Sequence, residues 1–179
     1  MKLFFDTEFT GLTRDTFLIS LAFYGNDGCW FYAEFNDYDE SKLSEWHIEN
    51  VIKKLEFGNI EKYFAEEERK ITLKDCKDEI VKHLTAWLKL FDAIEIWADV
   101  PHYDWVLLCD LFGGALNLPK NIHYICRDIA TLLFAKNIDV DIIRTGFVKD
   151  ELMNVDLKQH NALFDAMVGK LCYEKLIKM

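Results

Sequence analysis

Phe17-Leu18-Ile19-Ser20-Leu21-Ala22-Phe23-Tyr24-Gly25-Asn26-Asp27-Gly28-Cys29-Trp30-Phe31-Tyr32-Ala33-Glu34-Phe35 consists of two apolar runs around a Gly-Asn-Asp-Gly turn. Strand-length apolar runs joined by such residues signal a β-hairpin. Upstream, residues 2–8 of Lys2-Leu3-Phe4-Phe5-Asp6-Thr7-Glu8-Phe9-Thr10-Gly11-Leu12 read as a first strand entering a turn. The three segments predict an antiparallel meander. Downstream, residues 36–70 are polar and acidic, with one amphipathic piece at Trp46-His47-Ile48-Glu49-Asn50-Val51-Ile52. This stretch reads as a partly helical insertion and not as a separate domain. Thr72-Leu73-Lys74-Asp75 has the form of a helix N-cap, and Ile80, Leu84, Trp87, Leu88 and Phe91 follow at helical spacing. Trp87 is therefore expected in the core.

Ala93 to Ala98 reads as a fourth strand, Tyr103 to Phe112 as a helix stopped by Gly113-Gly114, and Ile122 to Cys126 as a fifth strand. Asp128 to Ala135 and Ala162 to Ile177 complete the pattern as helices. The order βββ-α-β-α-β-α-α predicts an α/β fold, with a mixed five-stranded sheet flanked by helices. Residues 1–179 are expected to form a single domain.

Composition narrows the function classes. Net charge is −10, which argues against a broad basic surface that coats nucleic acid. It leaves room for an enzyme that grips one strand end, because bound metal ions supply positive charge locally. The five cysteines have no C-x-x-C pairing and read as buried thiols of a reducing cytoplasm. Lys2 and Asp6 break the N-terminal run too early for a signal peptide. No apolar run approaches the ~18 residues of a membrane span.

Asp6 and Glu8 lie two apart on the first strand, so both project from the face that carries Phe4. Neighbouring carboxylates raise each other's pKa unless a cation intervenes, and a divalent metal is the usual reason to keep such a pair. Asp37/Asp39 and Asp139/Asp141 share the spacing and are expected to be solvated loop residues. Asp104 falls in the first turn of a helix, where a carboxylate also suits the helix dipole. His160 precedes Asn161, a good N-cap, and Asp165 follows inside that helix, so the two can converge. His123 and Asp128 have the same spacing, but extended chain would hold them ~16 Å apart.

Asp6-Thr7-Glu8-Phe9-Thr10-Gly11-Leu12, Asp104 after a strand, and His160-x4-Asp165 entering a C-terminal helix resemble the DEDDh 3′–5′ exonucleases. That superfamily includes the proofreading subunit of DNA polymerase III, RNase T and oligoribonuclease. Trp97-Ala98-Asp99 and the His160-Asn161-Ala162-Leu163-x-Asp165-Ala166 run are most similar to a small bacterial and phage exoribonuclease-like branch. The resemblance implies a ribonuclease H-like fold and hydrolysis of phosphodiesters at the 3′ end of single-stranded nucleic acid, RNA preferred over DNA. It implies two divalent ions, Mg²⁺ or Mn²⁺. By resemblance Asp6 bridges both, Glu8 and Asp165 hold the one that activates water, Asp104 supports the second, and His160 is the general base. Phe9, Thr10, Gly11 and Leu12 would form the pocket of the terminal nucleotide, with Leu12 as a wedge. Related enzymes commonly act as homodimers. Asp99 stands where the family often has Asn. Lys53, Lys54, Arg69 and Lys70 are expected on a solvated face, with phosphate contact as the alternative.

Two rival readings differ in class. Phe5-Asp6-Thr7-Glu8-Phe9-Thr10 approaches the D-x-D-x-T motif of haloacid dehalogenase-type phosphatases, but Glu8 replaces the second Asp. A non-catalytic nucleic-acid-binding module on the same fold would have no need of four acids and one histidine. Release of mononucleotides from a labelled 3′ end separates both from an exonuclease.

Overall fold

The computed structural model describes residues 1–57, 69–152 and 158–179. Six strands form one mixed sheet: β1 (Lys2–Phe9), β2 (Leu18–Gly25), β3 (Trp30–Phe35), β4 (Lys70–Asp75), β5 (Glu95–Ala98) and β6 (Arg127–Asp128). Their spatial order is β4-β3-β2-β1-β5-β6. The meander β1-β2-β3 is antiparallel, as the Gly25–Gly28 turn requires, while β4, β5 and β6 join in parallel. The helices are α1 (Glu45–Asn50), α2 (Lys77–Leu88), α3 (His102–Leu111), α4 (Ile129–Ala135), α5 (Arg144–Phe147) and α6 (Ala162–Lys178).

Helices cover both faces of the sheet, so its central strands are largely buried and mostly apolar. Leu3 and Phe5 of β1 pack with Ile80, Leu84 and Trp87 of α2 and with Leu107 and Leu108 of α3. Phe4, on the opposite face, packs with Ile129 and Leu133 of α4 and with Leu163, Met167 and Cys172 of α6. The period-2 alternation of β1 thus divides two cores. It also carries Asp6 and Glu8 onto the α6 side, in line with Phe4. The β1–β2 register shifts between Glu8 and Phe9, an irregularity of the kind that re-aims side chains at a strand end.

Three expectations are corrected. Thr72-Leu73-Lys74-Asp75 lies within β4, which pairs with β3 from Trp30↔Lys70 to Phe35↔Asp75. Six residues of backbone pairing outweigh the local capping signal. The helix starts at Lys77, and its N-cap Cys76 makes no side-chain cap bond. Ile122–Cys126 is not a strand. Ile122 makes one parallel bridge to Ile94, and the pairing strand is Arg127–Asp128 beside Trp97–Ala98. Among the described residues the sheet therefore has six strands, not five. The insertion ends before Lys70, and its residues 58–68 lie outside those described.

Trp87 is in the core as expected, 1% exposed, with its ring against Phe23, Phe31 and Phe91. Its indole N–H donates to the Arg69 carbonyl at 3.1 Å. Trp87→Ala should lower stability by about 3–5 kcal/mol, read as a fall in the urea midpoint with an unchanged slope. A loss under about 1 kcal/mol would contradict this packing.

Candidate active site

Asp6, Glu8, Asp104, His160 and Asp165 line one cleft of about 830 Å³, together with Phe9, Gly11 and Leu12. Three elements deliver the acids: β1 brings Asp6 and Glu8, the first turn of α3 brings Asp104, and the first turn of α6 brings Asp165. Asn161 caps α6, its Oδ1 accepting from the Leu163 and Phe164 amides. His160 is thereby left just outside the helix, with a left-handed φ of 67°. Its backbone N–H donates to Asp165 Oδ2 at 2.7 Å. Asp104 is tied to β1, since its Oδ1 accepts from the Thr7 amide at 3.0 Å and the Thr7 hydroxyl at 2.6 Å.

Ligand atoms of Glu8, His160 and Asp165 all lie within 4.8 Å of one another. The electrostatics match this crowding. Burial, then the charges of Asp165, Asp104, Glu8 and Asp99, hold the Asp6 carboxyl well above the usual range. Burial, with Asp165 and Asp104, lifts Glu8 to about 8, against the pull of Lys54. Burial lifts Asp165 to about 7, opposed by the His160 amide and Lys54. Asp104 is raised by burial and restrained by Thr7. Burial and Lys54 lower the His160 pKa.

Of the four residues expected to hold a terminal nucleotide, Thr10 is set apart. Its hydroxyl meets Thr16 Oγ1 at 3.3 Å and accepts from the Phe17 amide at 3.0 Å, closing the loop from within. Leu12 projects from that loop and is 72% exposed. Tyr103 latches it, stacking on Phe9 and donating from its hydroxyl to the Leu12 carbonyl at 2.8 Å.

The look-alike motifs stand apart from the acid cluster, although Asp141 lines the outer part of the same cleft. Asp37, Asp39, Asp139 and Asp141 are all exposed. Asp39 and Asp139 accept from the amides of Ser41 and Asp141, and Asp37 from that of Lys77. Asp128 caps α4, whereas His123 stacks on Tyr124. Arg69 pairs with Asp27 at 2.8 Å, away from the cleft.

Sequence reasoning missed Trp46, His47 and Arg144, and gave Asp99 no partner. Trp46 and His47 of α1 line the cleft, and the Trp46 ring, 51% exposed, stands edge-on to His160 at 5.1 Å. A tryptophan opening an otherwise polar segment was the available signal. Asp99 lies at the end of β5, where Arg144 of α5 grips it at 2.8 and 3.0 Å. Val100, next to it, carries a φ of 50°. That is a rare conformation for a β-branched residue and the kind of strain that collects at functional sites.

Fold and site together are those of an α/β domain with an acidic cleft. The chain is 28% identical over 134 residues, covering 74% of this chain and 73% of the relative, to the 3′-5′ exoribonuclease Rv2179c of Mycobacterium tuberculosis (strain ATCC 25618 / H37Rv). It is equally similar to the 3′-5′ exoribonuclease MT2234.1 of strain CDC 1551 / Oshkosh. No protein-family model matches the chain. These distant similarities support a 3′–5′ exonuclease. Among the described residues no helix is long and apolar enough to cross a membrane.

In chelator, stability should fall as pH rises from about 5 to about 8. The folded cluster keeps protons that the unfolded chain releases near pH 4, and it gives them up only near the raised values of Asp165 and Glu8. His160, with its lowered pKa, opposes this weakly below about pH 6.5. Glu8→Gln should flatten the profile of melting temperature against pH. An equally steep profile in that variant would show that the cluster is not the source.

Proposed function

We propose that this protein is a metal-dependent 3′–5′ exonuclease that removes mononucleotides from single-stranded nucleic acid, RNA in preference to DNA, with His160 as general base. What carries the reading is the convergence of Asp6, Glu8, Asp104 and Asp165 from three elements into one cleft beside His160. The names of the two relatives favour RNA.

The donor set fits a divalent ion. It offers hard carboxylate oxygens, crowded enough that their protons are retained, which a cation would displace. Asp6, Glu8 and Asp165 would hold the ion on the nucleophile side, and Asp6 with Asp104 a second one. When bound, such a pair of Mg²⁺ or Mn²⁺ ions lowers the pKa of the attacking water and neutralises charge on the departing 3′ oxygen.

The chain's own groups do the rest. An imidazole nitrogen of His160 takes the proton as the water oxygen attacks phosphorus, which suits a ring kept neutral by burial and Lys54. The bond from phosphorus to the 3′ oxygen breaks, that oxygen is protonated, and a 5′-mononucleotide departs. Leu12 and Trp46 offer apolar surfaces on which single-stranded bases stack. Thr7 keeps the Asp104 carboxylate aimed into the cleft.

Digestion of matched RNA and DNA oligonucleotides with Mg²⁺ and with Mn²⁺ tests the reading. RNA should be shortened faster, from the 3′ end, one nucleotide at a time. Asp6→Ala should abolish turnover, and His160→Ala should slow it by about 10²–10⁴-fold. Full activity in either variant, or phosphatase activity on a small phosphomonoester without 3′ shortening, would refute it.

The closeness of His160 to Glu8 and Asp165 favours one second reading, in which His160 is itself a ligand to a transition metal. Calorimetric titration with Mn²⁺ separates the two. As a base, His160 can be replaced by Ala with little change in metal affinity. As a ligand, its loss should weaken Mn²⁺ binding by tenfold or more, on the order of 10–100-fold.

A further inference from the structure

We propose that Lys54 is a positioning residue for His160, and that residues 51–57 of the insertion act through it as a strut between the sheet and the catalytic loop. The inference rests on the reading of His160 as general base.

Lys54 brackets His160 on both sides. Its ammonium donates to the carbonyl of Gln159 at 3.0 Å, and its own carbonyl accepts from Asn161 Nδ2 at 2.9 Å. These bonds join positions 105 and 107 residues apart in the chain. Asn161 is 1% exposed, and its other amide atom caps α6. One side chain therefore couples the helix that carries Asp165 to the segment that carries Lys54. His160 between them sits at a left-handed φ of 67°. A non-glycine residue persists there only when its surroundings over-determine it.

The strut is anchored at its far end. Val51 is fully buried. The Lys54 amide closes on the Val51 carbonyl at 2.9 Å, and the Phe57 amide donates to Glu34 Oε1 on β3 at 2.7 Å. Glu34 is 1% exposed and also accepts from the Tyr32 hydroxyl. Trp46, from the same insertion, adds its ring edge against His160. Lys53 offers a contrast. It is exposed and pairs with Glu49 one helical turn back, so a general loss of basic charge can be told from loss of the bracket.

Lys54→Met, with Lys53→Met as control, tests the proposal. In RNA hydrolysis Lys54→Met should lower kcat by about tenfold to a hundredfold and leave KM within about twofold; Lys53→Met should change neither. In a His160→Ala background Lys54→Met should cost nothing further, because its effect passes through His160. An equal loss in both backgrounds, or a rise in KM matching the loss, would mean that Lys54 touches substrate phosphate and would overturn the proposal. A second readout needs neither metal nor activity. In protein with labelled histidine rings, Lys54→Met should shift or broaden the His160 ring resonances and leave those of the other four histidines in place. An unmoved His160 signal would also overturn it. Should Lys54→Met fail to fold, Lys54→Gln carries the same readouts. If the wild-type protein hydrolyses no nucleic acid, the exonuclease reading fails, while the ring resonances still decide whether Lys54 holds His160.

Discussion

The mutual repulsion of Asp6, Glu8, Asp104 and Asp165 in one desolvated cleft is the constraint around which the structure is arranged. Carboxylates drawn together out of water either keep protons or find a cation. The fold holds them there regardless. β1 is fixed between β2 and β5, so the direction of Asp6 and Glu8 is set by the same alternation that buries Phe4 and Phe5. Asp104 cannot swing away, because Thr7 holds it through both amide and hydroxyl. Asp165 cannot either, being in the first turn of a helix whose cap is buried. Two apolar cores, one on each face of the sheet, offset the electrostatic cost. On the proposed reading the site is thus pre-organised for positive charge, the condition under which electrostatic catalysis gains most.

What was legible in the sequence was what local chemistry decides. The meander follows from alternation and the Gly25–Gly28 turn, and α6 from Asn161 and the apolar spacing behind it. That the five candidate residues meet in one cleft was legible because strand alternation places Asp6 and Glu8 together and the helix starts place Asp104, His160 and Asp165. β4 was not legible, because Thr72 and Asp75 mimic an N-cap and only pairing with β3 makes the segment a strand. β6 has two residues, too few to show any period, and exists because Trp97 and Ala98 stand beside it. α5 is four residues long and contains Gly146. It is held from α6, where Lys175 donates to the Phe147 carbonyl at 2.6 Å.

Within the site the division is the same. Acids and histidine announce themselves by type and spacing, whereas residues that only orient or neutralise them do not. Arg144 reaches Asp99 across 45 positions, and Lys54 reaches Gln159 across 105. No window of sequence contains either pair. Trp46 carried a weak local signal and lacked the context to interpret it. The insertion that broke the regular pattern of strands and helices supplies one wall of the cleft, as expected where functional residues ride on connections held by a rigid scaffold.

The charge balance bears on how an acidic protein can handle a polyanion. With net charge −10 and four acids at its centre, the cleft would repel a phosphodiester at long range. Among the described residues two cations beside the acids are already committed, Arg144 to Asp99 and Lys54 to the Gln159 carbonyl. Neither is free to serve as a phosphate clamp without giving up a structural bond. On the proposed reading, substrate attraction and metal occupancy are therefore coupled: the ions that neutralise the carboxylates also create the local positive potential that a strand end requires. On the same reading, packing against Leu12 and stacking on Trp46 would supply binding that is independent of charge. A strand end is the part of a nucleic acid best suited to such a site. It brings little phosphate charge into a narrow acidic cleft, and its unpaired bases are free to meet apolar surfaces.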